Sequence, residues 1–246
     1  MFGQTAVIAI SCICWAVPAL ADINLEYRPP SQTVLLGDTA NIGLYAVSDH
    51  DTDQLLMAAD VIISWDPDFL QFLGNDNTDA VPLQSSGFPA NDLFNLNEVV
   101  PPKDGDGLYV ALAPLGNPVA ATPRGTLLTT FQFQALAETP QTPVDILESA
   151  GDPEGHTIVY DGTVPNLDVT GELFGVTVTI LAEPPPGDCD MDLHVDLDDY
   201  ATFWYCLDGP DGDPVEPECQ CADLDEDGDV DLKDFAAFQR LFTGEY

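Results

Sequence analysis

The chain has 246 residues, 43 of them acidic and only 5 basic, for a formal net charge of −38. A field of that sign makes nucleic acid and anionic membrane surfaces poor partners. The acidity is spread: residues 188–246 carry 19 acidic against 2 basic residues, net −17, and the remainder carries 24 against 3, net −21.

Taken in chain order, residues 1–21 read as a secretion signal rather than a folded element. An apolar run from Ala6 to Val17 precedes Pro18 and then Ala19-Leu20-Ala21, a small-x-small cleavage pattern that leaves Asp22 as the new N-terminus. The run is too short for a comfortable membrane span, and no later stretch is long enough, so no membrane insertion is expected. The expected location is outside the cell or on its surface.

Residues 22–182 read as all-β. Short apolar or alternating runs at Thr33–Leu36, Ala40–Val47, Val61–Trp65, Leu108–Leu112, Leu127–Phe133, Val144–Leu147, Thr157–Tyr160 and Phe174–Leu181 are separated by Gly, Pro, Asn and Asp. Their length and spacing predict a mainly β, two-sheet jelly-roll sandwich, and about 160 residues is ample for one such core. Trp65 is assigned to that core, Asp66-Pro67 to a turn, and Leu127, Phe131 and Phe133 to one buried strand face. Tyr45, Tyr109 and Tyr160 are the candidates for a glycan-stacking platform.

Several phrases in this region carry a resemblance. Val34-Leu-Leu-Gly37-Asp38-Thr39, followed by alternating residues, resembles the opening of a cohesin. Val61-Ile-Ile-Ser-Trp65-Asp66-Pro67-Asp-Phe69-Leu70-Gln-Phe72 is similar to a recurring signature of cohesins and related carbohydrate-binding sandwiches. Gly125-Thr-Leu127-Leu128-Thr-Thr-Phe131-Gln-Phe133 and Thr170-Gly171-Glu-Leu173 running into Val176–Leu181 fit the same plan. The resemblance implies a cohesin-like docking module. A polysaccharide-binding module is the alternative.

Glu183-Pro184-Pro185-Pro186-Gly187 reads as a short Pro-rich linker. Beyond it, residues 188–246 hold one pattern twice, 35 residues apart. Asp188, Asp190, Asp192, Asp196 and Asp199 occupy positions 1, 3, 5, 9 and 12 of a twelve-residue loop, as do Asp223, Asp225, Asp227, Asp231 and Asp234. Calcium takes six to eight oxygen ligands, and an EF-hand-type loop supplies them from alternate residues with position 7 giving its main-chain carbonyl. Position 7 is His194 in the first loop and Asp229 in the second. The spacing thus predicts two Ca²⁺ sites. After each loop the apolar residues fall at helical intervals (Tyr200, Phe203, Leu207; Phe235, Phe238, Phe242), with Gly209 and Gly244 as C-terminal stops. Each unit is a loop and a helix with no helix leading in, and neither can bury its own face. The two are expected to pair about a pseudo-twofold axis.

A calcium loop ending in Asp rather than Glu, without a leading helix and in tandem, resembles a type I dockerin with F-hand-type units. That resemblance implies a module that docks onto a cohesin. The departures are Leu193 at position 6, where Gly228 stands in the second loop, and Leu197-Asp198 and Leu232-Lys233 at positions 10 and 11. If position 6 needs a positive φ, a bulky residue there costs roughly 1–2 kcal/mol, so the first site is expected to be the weaker.

Cys12 and Cys14 leave with the signal, so Cys189, Cys206, Cys219 and Cys221 are the cysteines of the exported chain. An even number in a small exported module reads as a disulfide framework rather than a zinc site. Cys219 with Cys221 is geometrically poor, which leaves 189–219 with 206–221, or 189–221 with 206–219. No catalytic constellation stands out: His50 and His156 lack a recognisable nucleophile, and neither a nucleophile elbow nor a phosphate loop is present. The chain reads as a secreted, non-catalytic adaptor with a cohesin- or dockerin-type protein partner.

Overall fold

A computed structural model describes residues 22–163, 167–210, 212 and 215–243. Residues 1–21, read above as a secretion signal, and Gly244 lie outside the described residues. The strands are β1 (Ile23–Arg28), β2 (Ser31–Leu35), β3 (Thr39–Ser48), β4 (Gln54–Leu56), β5 (Ala58–Trp65), β6 (Leu70–Asp76), β7 (Ser85–Gly87) and β8 (Asp106–Leu112). They continue with β9 (Val119–Ala121), β10 (Thr126–Ala135), β11 (Thr139–Leu147), β12 (Ser149–Ala150), β13 (Gly155–His156), β14 (Ile158–Tyr160), β15 (Thr170–Phe174) and β16 (Val176–Leu181). Helices α1 (Leu197–Cys206) and α2 (Leu232–Leu241) follow, with a 3-10 turn at Pro217–Ala222 between them.

Two sheets face each other. One runs β15-β1-β3-β10-β6; the other runs β2-β16-β11-β5-β8-β7, with β14 also paired to β5. Alternate residues of β1, β3, β5, β10 and β16 point into the gap. There Trp65, Phe72, Tyr109, Phe131 and Phe133 form one aromatic cluster, with ring centroids 5.2–5.9 Å apart in its direct contacts. Edge-on and tilted ring pairs of this kind add to the burial of the large apolar area. Trp65 is core, as its place in a β run suggested.

The sheets are joined by strands that change layer together. β1 lies parallel to β15 in one sheet, and β2 lies parallel to β16 in the other. The chain crosses between layers at Pro29-Pro30 on one side and at Gly175 on the other. A Cβ at Gly175 would collide with the Asp145 carboxylate and the Val144 carbonyl, so this crossing needs glycine. The single strand expected over Phe174–Leu181 is therefore two, because an unbroken strand stays in one layer.

A second difference concerns β10. Strict alternation places Leu127 on the face of Phe131 and Phe133, but the register slips between Leu127 and Thr129, and Leu128 is the buried residue. The extra residue is a β-bulge, which inverts the inward–outward parity on one side of it. The glycan platform does not form. Tyr109 is fully buried, its hydroxyl 2.6 Å from Ser86 Oγ, and Tyr45 and Tyr160 stand on different sheets.

Candidate metal centre

Each acidic loop is shaped by its own carboxylates before any ion is considered. Asp196 caps α1 by accepting from Asp198 N, and Asp199 at the third helical position reaches back to Asp196 N; Asp231 and Asp234 do the same for α2. Both are capping boxes built from Asp-x-x-Asp, which satisfy backbone N–H groups that a helix start leaves open. Positions 9 and 12 of each loop thus begin the helix as well as close the loop. The signal was present in the sequence as a capping pattern and was absorbed there into the ligand pattern.

Position 12 is the hub. Asp199 is fully buried, and its Oδ1 accepts from Cys189 N at 2.6 Å and Asp190 N at 3.2 Å, while Oδ2 accepts from Asp196 N at 2.8 Å. Asp234, also fully buried, repeats this with Leu224 N at 2.8 Å, Asp225 N at 3.1 Å and Asp231 N at 2.8 Å. Buried carboxylates are costly unless so bonded. Position 1 ties the front of each loop: Asp188 Oδ2 accepts from Leu193 N at 2.9 Å, and Asp223 Oδ2 from Gly228 N at 3.2 Å.

The backbone at position 6 is left-handed in both copies, with φ of 72° at Leu193 and 92° at Gly228. The premise behind the expected weakness of the first loop therefore holds. Position 4 is also left-handed, at Met191 (63°) and Glu226 (57°), which nothing in the residue types announced.

Of the twelve residues proposed as ligands, the fold gathers carboxylates of Asp188, Asp190 and Asp199 in the first loop, with ligand atoms within 4.8 Å of one another. The second loop gathers Asp223, Asp225 and Asp234, and also Asp229, Asp231 and Asp234. Asp229, assigned a role only through its main-chain carbonyl, thus brings its carboxylate into a cluster. Asp192, His194, Asp196 and Asp227 lie outside these clusters; Asp192 Oδ1 instead accepts from His194 N at 2.9 Å. Asp227 Oδ2 accepts from Lys233 Nζ at 2.6 Å.

Local electrostatics follow the crowding. Partial desolvation, and then the charges of Asp192, Asp199 and Asp188, raise the Asp190 carboxyl above the ordinary carboxylate range. Desolvation with Asp234 and Asp227 raises Asp225 likewise. The Lys233 ammonium instead holds Asp227 below that range. The donor set is all oxygen and anionic, the chemistry that suits a hard divalent cation. One oxygen, Asp223 Oδ1, is buried without a hydrogen-bond partner among the described residues. The residues present fit Ca²⁺.

The two units meet by exchange. Thr243 N donates to Val195 O at 2.8 Å, and Asp208 N donates to Val230 O at 3.1 Å. Val195 and Val230 are equivalent positions, as are Asp208 and Thr243, so these bonds are related by the expected pseudo-twofold axis. Across it Phe203 packs against Phe238 and Tyr200 against Phe235 as tilted ring pairs, with centroids 5.3 Å and 6.0 Å apart. Cys189 pairs with Cys221, and Cys206 with Cys219, which selects one of the two pairings left open above. The first bond ties position 2 of the first loop to the segment just before the second.

No family model matches the chain, and no curated protein matches it. Solved structures of cohesin modules are similar in fold. One belongs to a type I cohesin–dockerin complex from Clostridium thermocellum (14% identity, 65% of this chain and 99% of that chain, TM-score 0.48). Another is the cohesin module of a family 33 glycoside hydrolase from Clostridium perfringens (12% identity, 66% and 99%, TM-score 0.45). A third is a non-cellulosomal cohesin from the archaeon Archaeoglobus fulgidus (11% identity, 65% and 91%, TM-score 0.41). The likeness is one of β-sandwich architecture and assigns no role to any residue.

Proposed function

We propose that this chain is a secreted, non-catalytic adaptor whose C-terminal loops bind calcium and whose work is protein docking of the cohesin–dockerin kind. The observation that carries the reading is the repetition: two loops of the same twelve-residue spacing each converge carboxylates from positions 1, 3 and 12 and flow into identically capped helices. Mutual repulsion among these carboxylates is relieved when a divalent cation enters, so ion binding and folding of residues 188–246 are coupled. Asp188, Asp190 and Asp199 in the first loop, and Asp223, Asp225 and Asp234 in the second, would hold the ion. The two disulfides agree with an oxidising, extracellular setting. Because the chain is acidic throughout, a less acidic partner is favoured over a second copy of itself.

Thermal unfolding of the exported chain in calcium and in chelator tests the reading. At a hundredfold excess of calcium over Kd the native state gains about 2.7 kcal/mol. An unchanged midpoint together with no heat of calcium binding rejects it. Docking is tested separately by titrating purified cohesins and dockerins into the calcium-loaded chain, with chelator abolishing any complex made through the C-terminal loops.

A further inference from the structure

The two loops differ in charge at position 11, where the first has Asp198 and the second has Lys233. Lys233 is the second residue of α2, a place where the helix dipole favours anions over cations. Its main-chain N–H donates to the capping Asp231 at 2.6 Å. Its side chain turns back across the loop, so that Nζ lies 2.6 Å from Asp227 Oδ2 and 4.0 Å from Asp225 Oδ2. Those carboxylates stand at positions 5 and 3, two that the calcium pattern assigns to the ion. One ammonium and one divalent cation cannot share them without strong mutual repulsion.

We propose that Lys233 is a tethered counter-cation that competes with calcium for Asp227 and Asp225 and so sets the calcium threshold of the second loop. The inference rests on the calcium reading above. Calcium entering the second loop must expel the ammonium, whereas the equivalent position of the first loop is Asp198. Lys233 therefore works against the ranking that Leu193 imposes and brings the two affinities closer. The pair is largely solvent-exposed, which limits its strength, so the competition is modest and is felt as a shift in threshold rather than an on–off switch.

The test is a calcium titration of the full exported chain at 0.15 M salt, with the second loop followed through the Gly228 amide resonance. Three proteins are compared: wild type, Lys233→Met and Arg240→Met. The last removes the same charge from the last turn of α2, about 10 Å further along the helix axis and beyond the screening length of roughly 8 Å. Lys233→Met is expected to tighten the apparent Kd about two- to fivefold, the range an exposed ion pair supports, and Arg240→Met to leave it near wild type. Equal tightening in both variants, or none in Lys233→Met, overturns the inference while leaving calcium binding intact. A Gly228 resonance that calcium does not move in any of the three proteins rejects the calcium reading and the inference with it.

Discussion

Among the described residues, the sandwich closes around a cluster of 29 buried residues with no cysteine in its sequence, whereas the C-terminal loops and helices close around seven, two of them disulfide-bonded cysteines. The polar interior differs as sharply. Asp188, Asp196, Asp199, Asp231 and Asp234 are buried in the small region, while among the described residues of the sandwich the buried polar ones are Ser, Thr and Asn. A large apolar core excludes charge because an ion taken out of water without a partner is costly to bury. A module of about 60 residues cannot bury enough apolar surface to hold itself together. It is built instead from cross-links, capping carboxylates and, on our reading, bound cations. Stability in one region should answer to side-chain volume, and in the other to covalent and charge chemistry.

The largest expected effect is on the volume side. Phe131→Ala removes a ring that touches Tyr27, Phe72, Phe88 and Tyr109, and is expected to cost the sandwich about 3–5 kcal/mol. Denaturant unfolding followed by the fluorescence of buried Trp65 measures it, since Trp204 is 64% exposed and reports little. A loss below 1 kcal/mol would show that the core does not hold the sandwich. Next comes the cross-link. Replacing Cys189 and Cys221 together by serine should lower the stability of residues 188–246 by about 2–4 kcal/mol, read from helical circular dichroism, with the Trp65 transition unmoved.

A smaller effect is expected from Leu193→Gly. Relief of the left-handed backbone, less the entropy that glycine adds to the unfolded chain, should gain roughly 0.5 kcal/mol for the first loop and strengthen its calcium affinity. Weaker binding after this substitution would mean that Leu193 contributes more by packing than it costs by strain. The smallest concerns Asp60 on β5, whose carboxyl burial pushes up. A raised carboxylate pKa penalises the folded state once the group ionises, so Asp60→Asn should stabilise the sandwich at neutral pH. That gain should vanish as pH falls below the ordinary carboxylate range, where the wild-type residue is protonated in both states. A gain independent of pH would trace instead to packing.

Periodicity and spacing determined a good deal here. Alternating runs located β3, β5, β8, β10 and β11, because a half-buried strand needs an apolar residue at every second position. The 35-residue repeat located α1 and α2, because two identical half-modules must share one core. The cysteine count reduced the disulfides to two pairings. Tertiary structure decided the rest, and apart from one contact within the second loop the deciding contacts join residues far apart in the chain. Leu128 displaces Leu127 from the core because β10 carries one extra residue against β3. Gly175 divides one apolar run between two sheets because Asp145 and Val144 crowd the crossing. Cys221 chooses Cys189 because the segment before the second loop packs beside the first. Lys233 finds Asp227 six residues back because the loop folds over the start of its own helix. Sequence pattern reports which face of an element is apolar; it cannot report what that face, or a charged side chain beside it, meets, since that depends on the path of the whole chain.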